Sequence, residues 1–371
     1  MKLGQRIAIY TLDCIRRRSP CAPARLWLLL LGITSWMIYP LVLLRGLGYS
    51  RGVIRRRQLS IPVISIGNIS LGGTGKTPMV ERIARVFSNE GRRVVILTRG
   101  YKGSAQEKTL VVSRGARVLA GPREAGDEAF MLARNLTSVG VIVDKDRFRS
   151  GKVAMKDLGA QALILDDGFQ HLALQRDLDV VLIDAAEPFG YGRLFPRGLL
   201  REPLKGLSRA DIMVIVQGAE SCDLERLRGT LRRYNRQAPI FVGRRRPLCL
   251  VALPGESEQK LEGIRGQRCV AFCGIASPHA FLSLLASLGA EVIRSFSFPD
   301  HHPYTPEELH QIVEGAKAAG AQLILTTEKD AVRLPVDLLS LPLVLSYLRM
   351  EIQLSEEEAF FSLLKKRAGL S

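Results

Sequence analysis

From residue 61 onward, short runs of β-branched and aliphatic residues alternate with stretches in which apolar positions recur every three or four residues. The continuous runs read as buried strands, and the longer spacing reads as helices with one apolar face. Strand candidates fall at 62–66, 93–97, 140–143, 162–165, 180–183, 212–216, 240–242, 269–272, 291–296 and 322–325. Helices between successive strands favour parallel pairing, so the pattern predicts an α/β fold built on a mostly parallel sheet. A basic, loop-like stretch at 244–266, carrying Arg244-Arg245-Arg246-Pro247 and Pro254-Gly255, is the expected boundary with a second, smaller α/β unit. The expected organisation is an N-terminal segment over 1–58, a first domain over 59–245 and a second over 246–371.

The N-terminal segment follows a different pattern. Residues 26–44 are 19 positions without a charge, rich in Leu, Ile, Trp and Tyr. That length makes a membrane-spanning helix a candidate. A single span would carry Arg16-Arg17-Arg18 to the far side, against the tendency of basic residues to stay in the cytosol. Pro40 and the amphipathic stretch before the run suit a broken segment that lies in, or re-enters, one leaflet. No small-residue cleavage site follows Leu44, which argues against a secretory signal.

Charge strengthens the membrane reading. Of the 371 residues 47% are hydrophobic and 24% charged, as in a folded protein, and the net charge is +17. Residues 1–60 hold eleven Lys and Arg against one acid, Asp13, so most of the excess flanks the apolar run. Such a distribution suits an anionic membrane surface. With only 6% aromatic residues, nucleic acid is the weaker match for the charge, and no nucleic-acid partner is expected. The six cysteines form no CxxC pair and read as reduced thiols.

Chemistry enters at 61–78, where an apolar run breaks into Ser70-Leu71-Gly72-Gly73-Thr74-Gly75-Lys76-Thr77. Glycines let backbone N–H groups curl around phosphate oxygens. Lys76 can reach the β- and γ-phosphates, and the Thr77 hydroxyl can ligate Mg²⁺. Helical spacing resumes in Met79, Val80, Ile83, Ala84 and Phe87, placing the anion on a helix N-terminus. The bland alternative is a glycine-rich turn before an ordinary helix. The fold class becomes P-loop NTPase-like, although Ser70 stands where the usual motif opens with Gly.

Five further clusters could carry chemistry, and those at Thr98, Asp166 and Asp300 follow strand candidates, where open α/β sheets bind ligands. Asp166-Asp167 closes the run 162–165 in the manner of a Walker-B carboxylate that holds Mg²⁺, the alternative being a solvated turn. Asp127, in Gly126-Asp127-Glu128, opens a helical pattern and could be a plain cap. A helix N-terminus stabilises its anion and weakens it as a base, so a base role needs a partner. His301 or His302 could supply that partner, or simply lead into Thr305-Pro306-Glu307-Glu308, a capping box. The basic loop 192–203 could grip phosphate or bring Glu202 to Mg²⁺, and Thr98-Arg99-Gly100-Tyr101 offers a donor, a cation and an aromatic face.

Taken in order, residues 70–78, Thr98-Arg-Gly-Tyr101, Gly126-Asp-Glu128, Leu165-Asp-Asp-Gly-Phe-Gln-His171, Pro196-Arg-Gly-Leu-Leu-Arg-Glu-Pro203, Phe272-Cys-Gly-Ile275, Asp300-His-His302 and Thr327-Glu-Lys-Asp330 resemble the tetraacyldisaccharide 4′-kinases, membrane-associated lipid A kinases of Gram-negative bacteria. That family tolerates Ser at the position of Ser70; residues 1–25 are longer and more basic than its pattern requires. The resemblance implies two α/β domains around a cleft, an N-terminal membrane helix, and ATP and Mg²⁺ as cofactors. It implies phosphorylation of the 4′-hydroxyl of a tetraacylated disaccharide 1-phosphate, giving lipid IVA, at the cytoplasmic face of the bacterial inner membrane. Asp127 would accept the hydroxyl proton with His301 coupled to it; Lys76 and Thr77 would serve the phosphates and Mg²⁺; Asp166, Asp167 and Glu202 would complete the metal region. A membrane-tethered P-loop ATPase switch acting on a protein partner is the second reading, and a nucleic-acid-stimulated ATPase the third.

Overall fold

The computed structural model describes residues 3–16, 21–101, 103–105, 108–218, 222–255, 257–275, 277–335 and 343–370. Arg17 and Arg18 of the basic cluster lie outside them.

The first half is built on strands β1 (Val63–Asn68), β2 (Val94–Thr98), β3 (Leu110–Arg114), β4 (Arg117–Val118), β5 (Gly140–Val143), β6 (Ala162–Asp166), β7 (Leu178–Asp184) and β8 (Ile212–Gln217). The second uses β9 (Ile240–Leu253), β10 (Ser257–Gln259), β11 (Arg268–Cys273), β12 (Glu291–Ser297), β13 (Leu323–Thr327) and β14 (Val344–Leu354). All join one sheet in the order β12-β11-β13-β14-β9-β8-β7-β1-β6-β2-β5-β3-β4, with β10 paired to β9. The central ladders are parallel, as the alternating pattern predicts. Every residue of β1 and β2 is buried, as expected for strands covered on both faces.

The helices are α1 (Leu3–Arg16), α2 (Ala22–Ser50), α3 (Lys76–Asn89), α4 (Pro122–Ala125), α5 (Asp127–Asn135), α6 (Arg147–Leu158), α7 (Leu224–Tyr234), α8 (Pro278–Ser287), α9 (Pro306–Ala318), α10 (Glu328–Ala331) and α11 (Glu357–Arg367). Helix α3 buries Met79, Val80, Ile83, Ala84 and Phe87, the stripe that the sequence spacing marks.

Two features differ from expectation. Arg244 to Leu253 is strand rather than loop: the latter part of β9 pairs antiparallel with β14, which the sequence reading had not marked as a strand. The arginines are tolerated there because each finds a partner. Arg244 Nε donates to Gln217 Oε1 at 3.2 Å, Arg245 Nη2 to Asp184 Oδ2 at 2.8 Å, and Arg246 Nε to Glu351 Oε1 at 2.5 Å. Pro247 sits at the register shift of that ladder, where a missing N–H costs least. The second difference is that α2 runs without interruption through Pro40.

Helix α2 is the single helix among the described residues long and apolar enough to cross a membrane. One side of it is seated on protein. Leu28 and Ala24 pack with Leu199, alongside Leu31 and Leu71, and Ser35 Oγ donates to Leu194 O and accepts from Arg197 N, both at 2.9 Å. The other side exposes Leu26, Leu29, Leu30, Ile33, Trp36, Met37 and Leu41, with Trp36 77% accessible. An apolar face this extensive suits membrane association.

Candidate functional site

Strand β1 ends at Asn68, and the chain then loops through Ser70 to Gly75 before α3 begins at Lys76. Gly75 adopts φ +81°, and a Cβ there would lie 2.8 Å from Ile352 Cδ1, so this turn requires glycine. Nothing lies within 4 Å of a Cβ built on Gly72 or Gly73, which leaves that side of the loop open to a large ligand. The loop is braced from behind. Leu71 N donates to Leu199 O at 2.6 Å, Arg245 Nη1 to Gly73 O at 2.7 Å, and Asn68 Nδ2 to Thr74 Oγ1 at 3.0 Å. Lys76 Nζ lies 3.2 Å from Asn68 Oδ1 and 3.6 Å from Asp167 Oδ1. Burial lowers its pKa, and Asp167 only partly opposes this. Thr77 is buried beside it.

Strand β6, next to β1, ends at Asp166, which is 2% accessible and accepts from Thr98 Oγ1 at 3.2 Å. Burial, then Glu128 and Asp167, push its pKa up to about 7. Asp167 takes a left-handed backbone, φ +54°. Burial pushes its carboxyl up, but Lys76 and Arg201 outweigh this and hold it below the usual range. Arg201 Nη1 lies 2.7 and 2.6 Å from its two oxygens. Glu202 is engaged elsewhere: Arg209 Nη2 donates to its two oxygens at 2.9 and 2.8 Å, and Gln170 Nε2 donates to Oε1 at 2.9 Å. Lys76, Asp166 and Asp167 thus meet, while Glu202 stands behind Gln170.

Among the described residues, no three His, Cys, Asp or Glu side chains gather as a metal cage. Magnesium beside a nucleotide needs none, because phosphate oxygens and water fill most of its octahedron and one or two carboxylates suffice. Thr77, Asp166 and Asp167 provide oxygens of that kind, so the donor set fits, and a divalent cation would keep Asp166 ionised.

Asp127 is the first residue of α5, which has Gly126 as its N-cap. Its Oδ2 lies 3.1 Å from His301 Nδ1 and accepts from Arg333 Nε at 2.7 Å. Burial pushes the Asp127 carboxyl up, but the His301 hydrogen bond and the Arg333 charge hold it below the usual range. The helix terminus is therefore not alone in favouring the anion. His301 holds a left-handed backbone, φ +61°, and its ring meets Tyr101 edge-on at 5.7 Å. His302 goes elsewhere: Nε2 lies 2.8 Å from Glu308 Oε2, within the Thr305–Glu308 capping box, and its ring stacks on Phe298. Between histidines that the sequence left open, the geometry selects His301 as the neighbour of Asp127.

Glu128 connects the two groups. It binds Lys329 Nζ at 2.6 Å, and its charge acts on both Lys76 and Asp166. Burial pushes the Glu128 carboxyl up, yet Lys329 outweighs it. Sequence reasoning gave no role to Arg333, Arg245 and Asn68, and none of their own to Arg201 and Lys329. Arg201 and Lys329 fall inside motifs that were noticed; Arg333 follows the last motif by three residues and meets Asp127 across 206 positions, a pairing no local pattern reveals.

The tetraacyldisaccharide-1-P 4′-kinase family model, LpxK, matches residues 27–369. A tetraacyldisaccharide 4′-kinase of Syntrophus aciditrophicus is 40% identical over 352 residues, covering 92% of both chains. One from Anaeromyxobacter sp. (strain Fw109-5) is 46% identical over 292 residues, covering 78% of both. A crystal structure of LpxK from Aquifex aeolicus in complex with ATP superposes with a TM-score of 0.73 at 32% identity, over 90% of this chain and 97% of the other. With the P-loop, the paired aspartates and the Asp127–His301 contact at one end of the same sheet, and with this match over nearly its whole length, the chain belongs to the tetraacyldisaccharide 4′-kinase family.

Proposed function

We propose that this chain transfers the γ-phosphoryl group of ATP to the 4′-hydroxyl of tetraacyldisaccharide 1-phosphate, forming lipid IVA. The observation that carries the reading is the adjacency of two groups at one end of the parallel sheet: Lys76 Nζ of the P-loop, 3.6 Å from Asp167 Oδ1, and Asp127 Oδ2, 3.1 Å from His301 Nδ1. An acceptor hydroxyl at Asp127 is then on the phosphate side of the cleft.

In this reading Ser70 to Thr77 cradle the phosphates, and Lys76 neutralises charge on the transferred group. Asp127 takes the hydroxyl proton as the acceptor oxygen bonds to the γ-phosphorus. The bond from that phosphorus to the bridging oxygen breaks, and its electron pair leaves with ADP. His301 orients Asp127. Magnesium, when bound, draws the phosphate charge onto itself. Thr77, Asp166 and Asp167 would hold it, while Glu202 is taken up by Arg209 and Gln170.

The lipid acceptor gives α2 its purpose: its exposed apolar side lies in the inner membrane, with the catalytic residues on the cytoplasmic face. Residues 59–245 supply the nucleotide-binding residues, and 246–371 bring His301 to Asp127.

The test is labelling of tetraacyldisaccharide 1-phosphate from γ-labelled ATP. The kinase labels it, and Asp127→Asn lowers kcat by about 10²-fold or more with ATP affinity little changed. ATP hydrolysis that leaves the lipid unlabelled would instead identify a switch acting on a protein partner.

A further inference from the structure

We propose that Arg333 is the positioning residue of the Asp127 carboxylate: it occupies Oδ2 together with His301 and so presents Oδ1 to the acceptor hydroxyl. This rests on the reading of Asp127 as the base.

Arg333 follows α10, and its side chain is 6% accessible. Its guanidinium is held through Nε and Nη1, and Nη2 approaches the His301 imidazole. Nε donates to Asp127 Oδ2 at 2.7 Å, Nη1 to Asp330 Oδ1 at 3.1 Å and to Gly274 O at 3.2 Å, and Nη2 lies 3.3 Å from His301 Nδ1. Asp330 is fully buried and is itself held, accepting from Gly274 N at 3.0 Å, Tyr304 OH at 2.9 Å and Thr327 Oγ1 at 2.5 Å. A guanidinium anchored at three points has one orientation, and that orientation sets where Asp127 points.

The hydrogen positions follow from this arrangement. Arg333 Nε–H already reaches Oδ2, so the 3.1 Å contact with His301 is a hydrogen bond when the imidazole carries its proton on Nδ1. Oδ1 takes no hydrogen bond from a described residue, and it is the oxygen left to receive a proton.

The arrangement has an electrostatic cost, because a cation on the carboxylate reduces its basicity. Asp330 offsets part of that charge. Among the described residues, the other ionisable groups around Asp127 are His301, with Tyr101 against its ring, and the Glu128–Lys329 pair, whose lysine also senses Asp300. With that pair largely self-compensating, Arg333 and His301 govern the Asp127 ionisation.

Arg333→Gln and Arg333→Lys test the proposal in the full-length enzyme, with Asp127→Asn alongside. Arg333→Gln keeps a polar side chain of fitting length while removing the charge. It is expected to lower kcat by about 10- to 100-fold, as misplacement of a reacting group does. The KM for ATP should stay within about twofold, since Arg333 touches no P-loop residue. The acid limb of the kcat–pH profile should move to higher pH, because the carboxyl loses the cation that keeps it ionised. Arg333→Lys should restore the acid limb but not kcat, since an ammonium supplies charge without the planar fork. Wild-type kcat and an unmoved acid limb in Arg333→Gln overturn the proposal while leaving Asp127 as the base if Asp127→Asn is inactive. Near-normal turnover in Asp127→Asn overturns the base reading itself. A purely structural role predicts parallel losses of rate and melting temperature with no movement of the limb, and that result also overturns the proposal.

Discussion

Among single residues, Lys76 and Glu81 lie on the same helix and use burial in opposite ways. Burial costs Lys76 part of its affinity for a proton, and the γ-phosphate charge is what would restore it. Lys76→Ala should therefore lower both ATP affinity and kcat, by about 10²-fold in kcat/KM, and equilibrium binding together with turnover will separate the two. Glu81 has no such ligand. Asn135 Nδ2 donates to Glu81 Oε1 at 2.9 Å and to Glu328 Oε1 at 2.7 Å, placing two carboxyls on one amide. Burial first, then the Glu328 charge, push the Glu81 pKa up to about 8. A carboxyl whose folded pKa is raised contributes stability that is present below its unfolded value and is lost as pH rises through the folded one. From pH 4.5 toward 8 the wild type should lose stability at this site. Glu81→Gln, which cannot ionise, should match the wild type near pH 5 and melt higher near pH 8. Thermal melts at the two pH values check this; an equal difference between wild type and variant at both would refute it.

Secondary-structure elements explain what was legible in the chain and what was not. The P-loop, the Asp166–Asp167 strand end and the capping box at Thr305 could be read because each is local: a few residues fix both conformation and chemistry. Strand β14 was missed although Leu345, Tyr347, Ile352 and Leu354 are buried, because Arg349 and Met350 interrupt the alternation at the bulge opposite Pro247. The 244–247 run looked like loop because three arginines are expensive in a strand unless partners, distant in sequence, accept them. Helix α2 was legible as apolar but not as a brace for the loop that carries Leu71. Leu31 and Leu28 pack in one cluster with Leu71 of the P-loop and with Leu199, whose carbonyl holds the Leu71 N–H. Deleting residues 1–45 should consequently do more than free the enzyme from membranes. It should also weaken ATP binding, measured in detergent where membrane attachment no longer matters. Unchanged ATP affinity in the truncated enzyme would limit the helix to anchoring.

Across the whole molecule the two halves are interlaced rather than strung in sequence. The second half delivers His301, Lys329 and Arg333 to residues of α5. The chain then returns: Ile352, Leu354, Phe360, Phe361 and Leu364 belong to the same core as Ile64, Ile83 and Phe87 beneath the P-loop. Phe360 is fully buried, edge-on to Phe241 at 5.3 Å and to Phe361 at 5.2 Å. A boundary drawn at 245 thus separates the nucleotide-binding half from side chains that fill its core, and a fragment ending there would leave an apolar face of the sheet uncovered. Phe360→Ala should destabilise that half by about 3–5 kcal/mol, the usual result of removing a buried aromatic ring. Because the loss falls in the core under α3, ATP-induced stabilisation should shrink as well, despite the distance in sequence from Lys76. Denaturant unfolding with and without ATP tests both points. A variant with wild-type stability would show that α11 merely rests on the first half, whereas a destabilised variant would place the C-terminal helix within the folding unit of the P-loop.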